Sequence, residues 1–150
     1  MATLEIPRKG TSALSAAPVA GARMIDVVVN LATDVTMGTA TDVINVATLA
    51  KGTIVLAAGV EQIVAGTGTG TLVARVGTTS TSAVLTSTDA AGTVPAGAAI
   101  NPIILGADTQ LNLLGATAVR TNGIVRVFAV VVEGTRSPAY ATSVARDTSL

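Results

Sequence analysis

Ile124-Val125-Arg126-Val127-Phe128-Ala129-Val130-Val131-Val132 is apolar on both of the faces that a β-strand presents. Side chains along a strand point alternately to opposite sides, so Ile124, Phe128, Val130 and Val132 share one face. Val125, Val127, Ala129 and Val131 share the other. Between residues 123 and 133 the only charges are Arg126 and Glu133, one on each face. A strand of this kind is buried on both sides. In a two-layered β protein only one face meets the core. The second must be covered by a loop, by a chain terminus or by a neighbouring subunit, and a neighbour is the expectation here.

Ile25-Asp26-Val27-Val28-Val29-Asn30-Leu31 shows the cleanest alternation, with Ile25, Val27, Val29 and Leu31 on one face and Asp26 and Asn30 on the other. Further strands are expected at about 43–48, 53–57, 60–65, 71–77, 82–86, 100–105, 110–114 and 123–133. Turn residues separate them: Lys51-Gly52, Gly66 to Gly70, Ala91-Gly92, Pro95-Ala96-Gly97 and Asn122-Gly123. β-Branched residues dominate these runs, and no segment keeps helical spacing over a useful length. The fold expected is all-β: an antiparallel, jelly-roll-like β-sandwich of about eight strands with an extended N-terminal arm.

Three regions follow. Residues 1–24 carry Pro7, Gly10, Pro18 and Gly21 among Ala, Ser and Thr and read as the arm. Residues 25–134 form the β body, and residues 135–150 return to irregular polar composition and read as a tail. Leu4, Ile6 and Pro7 are the candidates for anchoring the arm by burial.

Composition points away from chemistry and toward assembly. Of 150 residues, 12% are charged, against about 25% in ordinary globular domains, while hydrophobic content is 49%. The surface must therefore be built from Thr, Ser, Ala and Gly, with little charge to oppose association. Nine basic and nine acidic residues cancel and, apart from Arg8-Lys9 and Arg146-Asp147, are scattered singly. Phe128 and Tyr140 are the only aromatics. Without a basic stripe or stacking platforms, nucleic-acid binding has no basis. No apolar run reaches the roughly 20 residues of a membrane-spanning helix, and the N-terminus lacks the pattern of a secretory signal, so use without export is expected. The chain has no His and no Cys, which removes the usual metal ligands, disulfides and thiolate chemistry.

Gly66-Thr67-Gly68-Thr69-Gly70-Thr71 has the glycine spacing of a phosphate cradle, but a strand rather than a helix follows it, and the next basic residue is Arg75 inside that strand. A flexible hairpin connection is expected instead. Asp26, Asp34, Asp42, Glu61, Asp89 and Asp108 lack calcium-loop spacing and read as turn and edge charges. Serines are plentiful, but there is no histidine base, and Lys9 and Lys51 both adjoin glycine in expected loops. No catalytic, cofactor or metal site is expected, and no small-molecule substrate.

The stretch from Thr41 to Val60 (TDVINVATLAKGTIVLAAGV) resembles a class of small tailed-bacteriophage virion proteins, the capsid cement or head decoration type. An Asp-led strand, a short turn and a strand ending in Ala-Gly-Val carry the likeness. Ala107 to Leu113 and Gly123 to Val132 resemble the last two strands of that class. Lys51 departs from the pattern, where proline or alanine would stand. The resemblance spans about residues 25–134. It implies a non-enzymatic protein, a homotrimer, that sits on the outer surface of the virion capsid, is made in the host cytoplasm, and contacts the major capsid protein.

A shell under internal pressure gains from subunits that tie neighbouring capsomers together. A rigid β body, apolar contacts between copies and extended ends suit that task. Leu4, Ile6, Arg8, Lys9, Tyr140 and Arg146 are the candidate ties to shell or neighbours; Arg8-Lys9 reads equally as a solvated pair. The alternative is a head- or tail-fibre, or receptor-binding, module of similar β fold, although such modules use aromatic or acidic residues that are scarce here.

Overall fold

A computed structural model of the chain describes residues 3–5, 22–35, 37–97, 102–116 and 118–132. These contain ten strands and no helix: β1 (Thr3–Glu5), β2 (Ala22–Asn30), β3 (Val43–Leu49), β4 (Ile54–Val64), β5 (Thr71–Val76), β6 (Thr79–Ser80), β7 (Leu85–Thr86), β8 (Ile103–Ile104), β9 (Thr109–Gly115) and β10 (Ile124–Val132). One sheet has the order β2-β10-β4-β8. The other runs β1-β3-β9-β5-β6, with β7 also on β5. Every pairing is antiparallel except β1 on β3.

β10 is the spine of the four-stranded sheet. It pairs with β2 along its full length, from Ile124 opposite Asn30 to Val132 opposite Ala22, and with β4 on its other side. Its burial alternates as its sequence demands. Val125, Val127, Ala129 and Val131 are buried, while Ile124, Arg126, Phe128, Val130 and Val132 are half-buried on the outside. β2 follows suit, with Ile25, Val27, Val29 and then Leu31 in the core. Ile44, Leu49, Leu72, Ala74, Leu111 and Leu113 of the six-stranded sheet join them in one cluster, so the two sheets share a single core.

Four expectations change. The runs 53–57 and 60–65 are one continuous strand, β4. Gly59, which falls between the two expected runs, lies opposite Phe128, and a Cβ there would stand 2.8 Å from Phe128 Cζ. Glycine inside a strand here marks close approach of a neighbouring ring rather than a turn. The strand expected at 82–86 shrinks to Leu85–Thr86, with Thr79–Ser80 forming a separate short strand. Of the strand expected at 100–105, Ile103–Ile104 remains, and residues 100 and 101 lie outside the described residues. Thr3–Glu5, placed by sequence in the arm, pairs in parallel with Val43–Asn45, and Leu4 packs against the core cluster.

Register shifts interrupt the β4–β10 ladder at two places, between Ile124 and Val125 and between Val130 and Val131. At each, two β4 residues oppose one β10 residue, which is a β-bulge. The extra residues are Ile63 and Leu56, and both are exposed.

Gly59→Ala is expected to cost about 1 kcal/mol or more in urea unfolding, because the Phe128 ring must leave its rotamer. In a Phe128→Leu background the same change should cost distinctly less. Equal costs in both backgrounds would show that the ring does not set the requirement for glycine.

Candidate interaction surface

The Gly-Thr repeat is neither a hairpin nor loose. β4 and β5 belong to different sheets, so residues 65–70 carry the chain from one layer to the other. The repeat is held on two sides. Asn122 accepts from the Thr67 amide through Oδ1 (2.8 Å) and donates from Nδ2 to Thr67 Oγ1 (2.7 Å). Ser87 accepts from the Gly66 amide (2.7 Å) and donates to Gly70 and Gly68 carbonyls through its amide and hydroxyl.

Beneath this crossover lies Arg120, 1% exposed and the largest fully buried side chain among the described residues. Its Nη2 donates to Gln62 Oε1 (2.8 Å) and its Nε to the Asn122 carbonyl (3.3 Å). Gln62 is itself fully buried and donates to the Val64 carbonyl (2.9 Å). Burial pushes the Arg120 guanidinium below its ordinary value, and the Asp89 carboxylate opposes that shift. Gly123 turns the chain over it with φ of 93°, where a Cβ would meet Arg120 Nη2 at 2.8 Å. The guanidinium thus ties β4 to the loop at Asn122, Asn122 in turn holds the crossover, and Gly66 and Gly70 leave room for Asn122 and for the Arg120 backbone.

The acidic residues weighed as ligands have local tasks. Asp34 accepts from the Asn30 amide (2.9 Å), Asp89 from Thr86 (2.7 Å) and Asp108 from Lys51 (2.8 Å). Asp42 is buried and gathers the amides of Gly38 and Thr39 with the Thr39 hydroxyl. Asp26 and Glu61 flank Arg126, Asp26 at 3.6 Å and Glu61 in closer contact. A cleft of about 170 Å³ opens between β2 and β3, lined by Arg23, Ile25, Thr48, Leu49, Ala50, Thr53 and Val131. That is below the roughly 300–1,000 Å³ of organic-ligand pockets.

The feature that stands apart is the outward face of the β2-β10-β4-β8 sheet. Among the described residues nine large hydrophobic side chains are exposed, and six of them lie here: Met24, Val28, Leu56, Ile63, Val64 and Ile104. Val28 is 56% exposed and Ile104 72%. Between them sit the half-buried Ile54, Ile124, Phe128, Val130 and Val132. Among the described residues Arg126, Asp26 and Glu61 are the charges on this face, and Arg126 pairs with the other two across three strands.

Of the residues chosen from sequence as ties, Leu4 is the one the structure describes, and it packs on its own body. Ile6, Arg8, Lys9, Tyr140 and Arg146 lie outside the described residues. The face itself was half-legible: β10 announced an apolar outer side, but Asp26 and Asn30 made the matching side of β2 look polar. The bulge residues Leu56 and Ile63 had no sequence signal. No family model, curated protein or solved structure matches this chain.

Arg120→Ala is expected to destabilise the protein by about 3 kcal/mol, since it strands Gln62 Oε1 and opens a void. Arg120→Lys should recover only part, because an ammonium cannot reach Gln62 and Asn122 as a planar fork does. Urea unfolding followed by circular dichroism measures both; a loss under about 1 kcal/mol for Arg120→Ala would contradict the role assigned to it.

Proposed function

We propose that this protein is a non-enzymatic structural subunit of a tailed-phage virion, a capsid cement protein that sits on the outside of the head and ties neighbouring capsomers together. The observation that carries this reading is the exposed apolar face of the four-stranded sheet. A monomeric domain seldom leaves so much aliphatic side chain in water on one side. A subunit that spends its life covered can do so. The low charge of the chain, 12%, and its aromatic-poor, β-branched body favour the same use.

In this reading the two-layered body is a jelly-roll-like sandwich, and copies associate through the apolar sheet face as a homotrimer. Leu4, Ile6, Arg8, Lys9, Tyr140 and Arg146 supply contacts to the major capsid protein or to adjacent copies. The protein works without cofactor or nucleic acid, is made in the host cytoplasm and ends on the virion surface. Its contribution is mechanical: each copy adds contact area across a capsomer boundary that internal pressure would otherwise open.

Two measurements on the full-length chain test this. Light scattering with refractive-index detection, chosen because Tyr140 is the only tyrosine and tryptophan is absent, should give the mass of three copies. Added to emptied, expanded heads of the parent phage, the protein should co-sediment and saturate at a stoichiometry set by the lattice. Binding limited to a few copies per head would favour the fibre module, and no binding would remove the cement reading.

A further inference from the structure

We infer that Asn122-Gly123 is a self-modification site, at which the chain's own amide converts Asn122 to an acid, and that the crossover at residues 65–70 keeps the site closed in the folded protein. This stands apart from the reading of the chain as a virion subunit.

The chemistry needs only water. The Gly123 nitrogen attacks Asn122 Cγ, a new N–Cγ bond forms and the Cγ–Nδ2 bond breaks. The proton from the Gly123 nitrogen leaves with Nδ2 as ammonia, and a five-membered imide remains in the main chain. Water then opens either of its two carbonyls, which leaves aspartate or isoaspartate at position 122. A Cβ on the following residue obstructs the attack, and glycine has none. Asn30, Asn45, Asn101 and Asn112 precede Leu31, Val46, Pro102 and Leu113, so Asn122 is the only asparagine of the chain followed by glycine.

The fold needs both members of this pair. Gly123 has a φ of 93°, which L side chains rarely adopt, and a Cβ there would meet Arg120 Nη2 at 2.8 Å. Asn122 uses both ends of its carboxamide, Oδ1 accepting from the Thr67 amide (2.8 Å) and Nδ2 donating to Thr67 Oγ1 (2.7 Å). An ionised carboxylate has no donor with which to make the second bond. The structure therefore requires the reactive pair and has to hold it unreacted.

One reactant is free and the other is fixed. The Gly123 amide makes no hydrogen bond among the described residues. The Asn122 carboxamide is held at both polar atoms by a residue 55 positions away. Gly66 packs on it so closely that a Cβ at Gly66 would collide with Oδ1. Bonding to the Gly123 nitrogen draws Cγ toward the main chain and turns its oxygen and nitrogen away from Thr67, so the crossover must open first. It can open locally. Thr67, Gly68 and Thr69 are exposed, and apart from Asn122 the stretch hangs on Ser87 at Gly66, Gly68 and Gly70. Surface segments held by a few bonds open without global unfolding. Each opening gives the pair a chance to react, and the product does not revert. Isoaspartate also adds one carbon to the main chain, between the Asn122 carbonyl that accepts from Arg120 Nε and the Gly123 carbonyl that accepts from the Leu31 amide.

The test follows full-length protein in mildly alkaline buffer, with and without urea, by intact mass and peptide mapping. The denatured chain should gain about 1 Da at position 122. Native protein should do so roughly tenfold more slowly, or slower still. Thr67→Val changes an exposed side chain, removes the hydroxyl acceptor and keeps the backbone amide. With folding checked by circular dichroism, it should react about fivefold faster than native wild type, as expected when an opening has one hydrogen bond fewer to break. Thr67→Ser keeps the hydroxyl and should react at the wild-type rate. The inference is overturned if the denatured chain gains no mass at Asn122, or if native wild type reacts as fast as denatured. It is equally overturned if folded Thr67→Val is no faster than wild type, or if Thr67→Ser is accelerated as much as Thr67→Val.

Discussion

β10 has a hydrogen-bonded neighbour on each edge and aliphatic side chains on each face, and the remaining structure is arranged around that condition. Its backbone groups are satisfied by β2 and β4, so it cannot slide without breaking both ladders. A slip of one residue would bring Arg126 toward the core in place of a valine or alanine. One charged residue therefore fixes which face is inner, although both faces are apolar enough to serve. Asp26 and Glu61 then hold Arg126 on the outside from the two adjacent strands. The ion pairs are exposed enough to contribute little to stability. Their value lies in register, since a one-residue slip of β10 would turn Arg126 inward and leave Asp26 and Glu61 without their cation.

The core follows from what the chain lacks. With one phenylalanine, one tyrosine and no tryptophan, volume has to be filled by valine, leucine, isoleucine and alanine. Such side chains pack well between pleated sheets but cannot close the wider space where a loop crosses from one layer to the other. There the chain uses Arg120, whose long stem and planar head occupy the gap and hydrogen-bond Gln62 and Asn122. Burying a guanidinium is costly unless it is bonded. Gln62 Oε1 and the Asn122 carbonyl meet that condition for Nη2 and Nε, while Nη1 is buried without a hydrogen-bond partner.

What could be read from sequence was whatever obeyed a period. The alternation of β2 and the double apolarity of β10 are local patterns, and both appear in the structure at those positions. What could not be read depended on partners distant in the chain. Gly59 looks like a gap between two strands until Phe128 is known to lie opposite it, 69 positions later. The crossover at residues 65–70 looks like a hairpin until β4 and β5 are known to belong to different sheets. Arg120 reads as a surface cation because nothing near it in sequence shows that Gln62 will be its acceptor. The pairing of Thr3–Glu5 with β3 depends on an edge formed far downstream. The outward face was legible on β10 and hidden on β2 and β4 for the same reason: its polar residues are clustered by pairing, and the aliphatic ones between them become a surface only once four strands are side by side.

The two bulges in β4 bear on why that surface exists. A bulge is tolerated where an extra residue gains something by pointing outward. If the outside of this sheet were meant for water, the inserted residues would be expected to be polar, and the neighbouring strands to carry lysine or glutamate opposite them. Instead the insertions are Leu56 and Ile63, one near each end of β4, and each enlarges an aliphatic area that Met24, Val28, Val64 and Ile104 already occupy. Both bulges therefore increase exposed hydrocarbon at a cost to solubility. The paired charges at Asp26, Arg126 and Glu61 interrupt that hydrocarbon only across its middle. A sheet that adds apolar bulk near both ends of β4 and keeps its charge between them has hydrocarbon, not ions, as most of its outer face.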